Sequence, residues 1–329
     1  MNAVICFWII ISSGIILGQE QKTLIYNDKS DFNPAGYYFN SAFDVVQNPY
    51  YFTQGNYQEK YRVLFKRIID PDESIKKDGG WKKFFNDEFA SYRVAPNIGL
   101  HTIGSGYDSR EMYEYYYVHA YKFPMLLTVA TLYAGHLGNE ALELSNENVS
   151  SHDNIADLFF YDVAAIVLFR NDEVVYFFKD DLGMRRWSYQ PFIDVKEGKI
   201  NNAGLNYIFR PNVFKAKARP FFFIGMQNLG GLSYEYSSNR YITLSSGIAF
   251  TDPLKQKGYL ATAVFYDSDE LLSASLIVNG SENYKVRINL YPNLFSGDYQ
   301  LGLMSGIKRD KGVMLGVNYI LPLGIGVVL

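Results

Sequence analysis

The chain has 329 residues, enough for one large domain or two ordinary ones, and its 31 basic and 34 acidic residues leave a net charge of −3. That near-balance excludes a global pull toward nucleic acid or acidic lipid. Aromatic residues reach 17%, with 28 Tyr and 24 Phe, a share that suits the aromatic girdles of a membrane barrel better than a water-soluble enzyme.

In chain order, the first legible element is the apolar run Val4–Leu17, followed by Gly18-Gln19-Glu20. Its length fits the h-region of an export signal cleaved after Gly18 or Gln19, and falls short of the roughly 20 residues of a spanning helix. No Lys or Arg precedes it and Ile16 is bulky for the −3 position, so a buried N-terminal strand is the alternative. The single cysteine, Cys6, lies inside this run. Removing residues 1–18 therefore leaves no disulfide, thiolate ligand or cysteine nucleophile.

Residues 19–108 are weakly patterned, and the first barrel strands are expected among them. Gly36–Asp44 admits a strand, Asp70–Gly80 a polar connection, and Trp81–Phe89 a short helix. Gly99–Gly106 contains Gly-Ser-Gly but lacks the Lys-Ser/Thr ending of a phosphate loop. A strand end and tight turn account for it.

Residues 109–180 change character. Phe123–Gly138 is apolar, and at 1.5 Å per residue it covers roughly 24 Å, too short to span a bilayer comfortably. Ser150–Asn154 offers several N-caps, and Ile155–Phe169 makes a second apolar helix. His136, Asn139, Glu140 and Glu143 stand at i, i+3, i+4 and i+7 and share a helix face. Asp157 and Asp162 are five apart, about 140° around an α-helix, and diverge. Carboxylates in so apolar a setting need partners, for which His136, Lys122, Arg185 and Arg186 are at hand.

From residue 181 onward the period becomes two. In Tyr284–Tyr291, the residues Tyr284, Val286, Ile288 and Leu290 face one side, while Lys285, Arg287 and Asn289 face the other. Ile242/Leu244/Ile248/Phe250, Leu272/Ala274/Leu276/Val278 and Val313/Leu315/Val317/Tyr319 alternate in the same way with small or polar residues. Asn279–Asn283, Lys308–Gly312 and Phe295–Asp298 read as hairpin turns. The expected fold is mainly β: an antiparallel outer-membrane β-barrel of about 10–12 strands, carrying a helical-hairpin insert at 109–180, with the C-terminal strands in 181–329.

Several ordered motifs carry a resemblance. Pro96–Gly106, Asn139-Glu140, Asp153–Asp157, Asp162, Leu168-Phe169 and Trp187–Pro191 resemble a family of Gram-negative outer-membrane proteins known as a domain of unknown function, over roughly residues 90–250. The resemblance implies a polar-spotted helical hairpin joined to a C-terminal outer-membrane barrel, and implies no activity.

Four residues stand out as a site: His136, Glu140, Asp157 and Asp162. Imidazole with carboxylates suits a divalent metal or general-base chemistry. The alternative is a satisfied polar cluster that fixes the helices, and the absence of a His-Glu-x-x-His pattern favours it. His101, His119 and His152 show no metal-type spacing. The overall expectation is a structural or transport-related outer-membrane protein without catalysis or cofactor. Outer-membrane lipid and the barrel-assembly machinery are its partners, nucleic acid is not, and any small-molecule ligand is unspecified. The alternatives are an outer-membrane enzyme acting on lipid or lipopolysaccharide, and a soluble periplasmic β-protein binding an apolar ligand. No Gly-x-Ser-x-Gly elbow is present.

Overall fold

The computed structural model describes residues 32–44, 55–91, 94, 97–144, 150–212, 216–252, 257–281, 283–295, 301–319 and 323–329. The expected export signal at 1–18 lies outside them. The chain divides into two compact units, one containing Gln54–Tyr176 with Phe32, the other containing Asn33–Thr53 and Phe177–Leu329.

The first unit is helical. Helix α2 (Tyr57–Ile69) starts at Asn56, whose side chain accepts from the amides of Gln58 and Glu59. Asp70 ends it and caps α3 (Pro71–Lys77), which has Pro71 at its first position. Helices α4 (Gly80–Phe89), α5 (Ser105–Val118), α6 (Pro124–Glu143), α7 (Ser151–Ala156), α8 (Asp162–Phe169) and α9 (Asp172–Tyr176) come after it. Two π-type segments interrupt the α geometry: Asn97–Gly104 runs into α5, and Asp157–Tyr161 joins α7 to α8. Arg110 on α5 is fully buried and binds Glu114 at 2.7 Å and Asp172 at 2.7 Å, tying α5 to α9. Gly106 lets α5 meet α8, because a Cβ there would run into the Phe169 ring.

The helical content is therefore larger than the expected hairpin at 109–180. Residue 109 is no boundary, since α5 runs through it. No strand occurs among the described residues of 32–108, where first barrel strands were expected. Gly36–Asp44 is mostly helix: α1 (Pro34–Ala42), capped by Asn33 and opened by Pro34, belongs to the second unit. Gly99–Gly106 is helical as well, spanning the end of one π segment and the start of α5. In both places Tyr, Phe and Gly suggested strand or turn, and capping together with helix–helix packing decided otherwise.

The second unit is built on one sheet of thirteen segments. These are β1 (Arg185–Arg186), β2 (Phe192–Asp194), β3 (Lys199–Asn201), β4 (Tyr207–Phe209), β5 (Ala218–Ile224), β6 (Gln227–Ser237), β7 (Arg240–Asp252), β8 (Lys257–Ser268), β9 (Leu271–Val278), β10 (Tyr284–Leu290), β11 (Leu301–Lys308), β12 (Val313–Tyr319) and β13 (Gly324–Val328). From β4 to β13 each segment pairs antiparallel with the next. The first four form two broken runs. β1 pairs with β4 and β2 with β3, and between these contacts Trp187 donates to Asn206 at 2.7 Å and Tyr189 to Gly204 at 3.0 Å. β13 then pairs with β2 in parallel, with Gly324, Ile325 and Gly326 opposite Phe192, Ile193 and Asp194. Asn40 of α1 bonds the Tyr189 carbonyl and the Gly204 amide, where the two broken runs face each other.

Along several strands aliphatic residues are exposed and small or polar ones are buried. Along β7, Ile242, Leu244 and Ile248 are exposed, while Thr243, Ser245 and Ala249 are buried. Along β12, Val313, Leu315 and Val317 are exposed, while Met314, Gly316 and Asn318 are buried. On β10, Arg287 and Asn289 are buried and Ile288 is exposed, but Tyr284, expected on the side of Ile288, is buried, because the register shifts between Tyr284 and Val286. Leu272, expected on the side of Leu276, is buried as well, past the register shift between β8 and β9. The buried face is filled by aromatic rings and by polar groups, several of which are hydrogen-bonded to one another. Trp187, Phe221, Phe223 and Phe265 pack together. Arg210 grips Asp267 with two bonds of 2.9 and 2.6 Å, donates to Ser233 at 3.0 Å and stacks over Tyr241. Asn289 donates to Ser275 at 2.9 Å and accepts from Asn202 at 3.0 Å.

Removing one partner of a buried ion pair leaves the other charge uncompensated. Arg210→Ala is expected to destabilise the sheet by about 3–5 kcal/mol in equilibrium urea unfolding, and the double variant Arg210→Leu/Asp267→Leu to cost clearly less. Equal losses in the two would contradict the role assigned to the pair.

Candidate functional site

The four residues singled out in the sequence meet in the helical unit, together with a fifth, His101. α6 supplies His136 and Glu140 from adjacent turns of one face, as their spacing of four requires. The π-type turn Asp157–Tyr161 supplies Asp157, and α8 opens with Asp162. In this turn the Asp162 amide donates to the Asp157 carbonyl. An i to i+5 bond brings residues five apart to successive turns, which corrects the expectation that the two aspartates diverge. The other π segment carries His101, which spacing alone does not single out. This histidine sits in an apolar stretch with no second ligand at helical spacing, so nothing in its local sequence marks it.

His136 Nδ1 lies 2.6 Å from Asp162 Oδ2, and its Nε2 lies 3.4 Å from Ser105 Oγ. His101 Nε2 lies 3.4 Å from Asp157 Oδ2. Its Nδ1 stands 3.8 Å from Asp162 Oδ1, beyond hydrogen-bond reach. His101 Nδ1, Asp157 Oδ1 and Asp162 Oδ1 are buried without a hydrogen-bond partner among the described residues. Glu140 accepts from Asn154 at 2.6 Å, and Asn154 in turn accepts from Arg67 at 2.6 Å. His136 is thus the expected partner that meets a carboxylate here, whereas Lys122 sits over the Phe123 ring and Arg185 binds Glu270. His119 bonds the Tyr115 carbonyl at an exposed helix end, and His152 faces Asp87.

The charges crowd. Burial pushes the Glu140 carboxyl well above its usual range, and Asp157, Glu143 and Asp153 push it further. Burial does the same to Asp157, reinforced by Asp153 and Asp162. For Asp162, burial is outweighed by His136 and His101, which hold it below the usual range. His101 is pushed up to about 9, its burial outweighed by Asp162, Glu140 and Asp153. Glu140 and Asp157 thus hold their protons more tightly than exposed carboxyls do, while Asp162 stays ionised between the two imidazoles.

Two chemistries fit these residue types. Donor atoms of His101, His136 and Asp162, and of His101, Glu140 and Asp157, lie within 4.8 Å of one another in each set, close enough to share a metal ion. Ser105, His136 and Asp162 also stand in the order of a nucleophile, base and orienting acid. Ser105, however, is buried and spends its proton on the Leu100 carbonyl at 3.3 Å.

The site's scaffold makes two predictions. Removing the Asn154 side chain leaves Glu140 and Arg67 without their shared bridge. Asn154→Ala is accordingly expected to cost about 1–3 kcal/mol in thermal or urea unfolding, and no loss would sink the relay. Asp78 accepts from the Ser151 amide at 2.7 Å and so holds the start of α7. Its carboxyl lies below its ordinary 3.8, because burial is outweighed by that amide, Arg67 and His152. A depressed carboxylate stabilises the fold above its unfolded-state value, and the contribution disappears as pH falls through the folded-state value. Wild-type stability is expected to drop more steeply below about pH 4 than that of Asp78→Asn, whose curve at neutral pH lies lower. Parallel curves would contradict the assignment.

Comparison of the chain with protein-family models, with curated proteins and with solved structures finds no match.

Proposed function

We propose that this protein is an outer-membrane β-barrel protein of the Gram-negative envelope, structural or transport-related in role, whose sheet stands in lipid. The observation that carries this reading is the inverted sheet: Leu232 at 62% exposed, Leu244 at 61%, Leu260 at 74% and Ile325 at 61% face outward, while Arg210, Asp267, Arg287 and Asn289 face inward. In water each exposed aliphatic side chain forgoes roughly 1.5–3 kcal/mol of burial, and contiguous apolar surfaces of this extent mark contact with lipid or a partner. A soluble ligand-binding barrel would place its apolar residues on the opposite face.

The strand pairing supports the same reading. If β1 and β2 count as one run and β3 and β4 as its return, the thirteen segments make eleven strands. In a closed antiparallel meander of odd strand number the first and last strands run parallel, which is the sense of the β13–β2 pairing. Closure leaves no lipid-facing edge, as a bilayer requires. Tyr234, Tyr236 and Tyr319 are exposed toward strand ends, where interfacial aromatics belong. The buried aromatic and ionic cluster fills the interior, so transport through a wide open pore is not part of the reading. The family resemblance read from Pro96–Gly106, Asn139-Glu140 and Asp153–Asp157 agrees with it.

A second reading, an enzyme acting on envelope lipid, is favoured by the alignment of Ser105, His136 and Asp162 alone. It predicts phospholipid or lipopolysaccharide turnover that Ser105→Ala abolishes in a protein that remains folded.

The decisive experiment is electrophoresis of the outer-membrane fraction with and without boiling. A band that changes mobility only on boiling is expected, and recovery from the soluble fraction with no shift overturns the proposal. Leu244→Arg gives a second measure. It is expected to destabilise the folded protein by about 2–4 kcal/mol if the residue faces the bilayer midplane. In water the same change stays within about 0.5 kcal/mol.

A further inference from the structure

We propose that the helical unit binds one divalent first-row transition-metal ion in the nest of His101, His136, Glu140, Asp157 and Asp162. This inference rests on the helical unit and is independent of where the sheet resides.

Three observations converge on it. The first is geometric: the two donor sets share His101, and within each set the ligand atoms lie within 4.8 Å of one another. Atoms around one ion at metal–ligand distances of about 2.0–2.2 Å stand up to about 4 Å apart, so a small side-chain adjustment suffices. The second is the set of orphaned atoms. Asp157 Oδ1 and Asp162 Oδ1 belong to side chains that are 5% and 0% exposed, and neither oxygen has a hydrogen-bond partner among the described residues. A buried lone pair without a donor is costly, and a cation between these oxygens satisfies them. The third is the supporting shell. Asn154 fixes Glu140 and is itself fixed by Arg67, in the manner of the outer-shell partners that orient metal ligands.

The donor types select the class of ion. Imidazole and carboxylate without thiolate suit Zn²⁺, Mn²⁺, Fe²⁺ or Co²⁺ over Cu⁺, and two imidazoles are a poor match for Ca²⁺ or Mg²⁺. The three carboxyl groups, on losing their protons to the ion, supply the charge that it neutralises. Both π-type turns of the unit contribute a ligand, His101 from one and Asp157 from the other, consistent with the frequent use of such turns at functional positions.

The test uses the purified full-length chain, stripped with chelator and titrated with Co²⁺ while its visible absorption is followed. One equivalent is expected to bind, with d–d bands of a nitrogen- and oxygen-ligated ion. Hyperfine-shifted proton resonances from two imidazoles are expected in the loaded protein. His101→Gln is expected to weaken Co²⁺ and Zn²⁺ by at least about 10-fold, whereas His119→Gln, at an exposed helix end, leaves affinity unchanged. The proposal is overturned if the wild-type chain takes up no stoichiometric ion, or if His101→Gln is folded and binds as tightly. Loss of binding in His119→Gln would overturn it as well. Should His101→Gln fail to fold, the two imidazole resonances decide on the wild-type chain alone. Ser105→Ala retains the ion under this proposal, which separates metal binding from the hydrolytic reading.

Discussion

A strand that buries arginine, asparagine and serine while exposing leucine must satisfy every polar group from its neighbours across the sheet, because nothing else reaches them. The second unit meets that demand at several positions. Arg210 is held by Asp267 on a distant strand, by Ser233 and by the ring face of Tyr241. Asn289 is shared between Ser275 and Asn202, and Arg287 lies over Tyr189 at 4.0 Å. Each bond joins different segments of the sheet unit, so the sheet's register is fixed by polar pairing as much as by its ladder. Slipping one strand by one residue would turn arginine toward the apolar side and leucine into the polar interior.

The helical unit answers a related problem differently. There three buried polar atoms without a hydrogen-bond partner among the described residues, His101 Nδ1, Asp157 Oδ1 and Asp162 Oδ1, converge. Two π-type turns bring this about, since each inserts a residue into the helical ladder and re-aims the residues after it. An α-helix through 157–162 would send its two aspartates apart, and the wider turn stacks them. His101 enters from the other such segment, Gly106 lets α5 pack against Phe169 of α8, and Ser105 beside it meets His136 of α6. The nest is thus a product of backbone irregularity placed in a well-packed frame, with Arg110 locking α5 to α9 on one side.

The two units therefore divide the physical work. One exposes apolar surface and pairs polar groups within. The other gathers carboxylates and imidazoles in a buried place where the surrounding helices do not fully compensate them. A protein standing in lipid has reason for the first arrangement, and a bound cation gives reason for the second.

Several features were legible in the sequence because they depend on local period. Alternation along Val286–Leu290, Ile242–Ile248 and Val313–Tyr319 marked strands and showed which residues share a face, whereas the register shift that buries Tyr284 left no local trace. The spacing of His136 and Glu140 placed both on one face of α6, and Ser150 marked the start of α7. The helices at 34–42, 57–69 and 97–104 were hidden, because Tyr, Phe and Gly carry strand and turn propensity that a single cap or a packing neighbour outweighs. The pairing of β13 with β2 and of Arg210 with Asp267 could not be read either, since both join residues more than fifty positions apart. The inclusion of His101, and the alignment of Asp157 with Asp162, were decided by tertiary structure alone. Composition and period specify what a segment prefers in isolation, whereas a π-type turn and a convergent cluster exist only when neighbouring helices are packed around them.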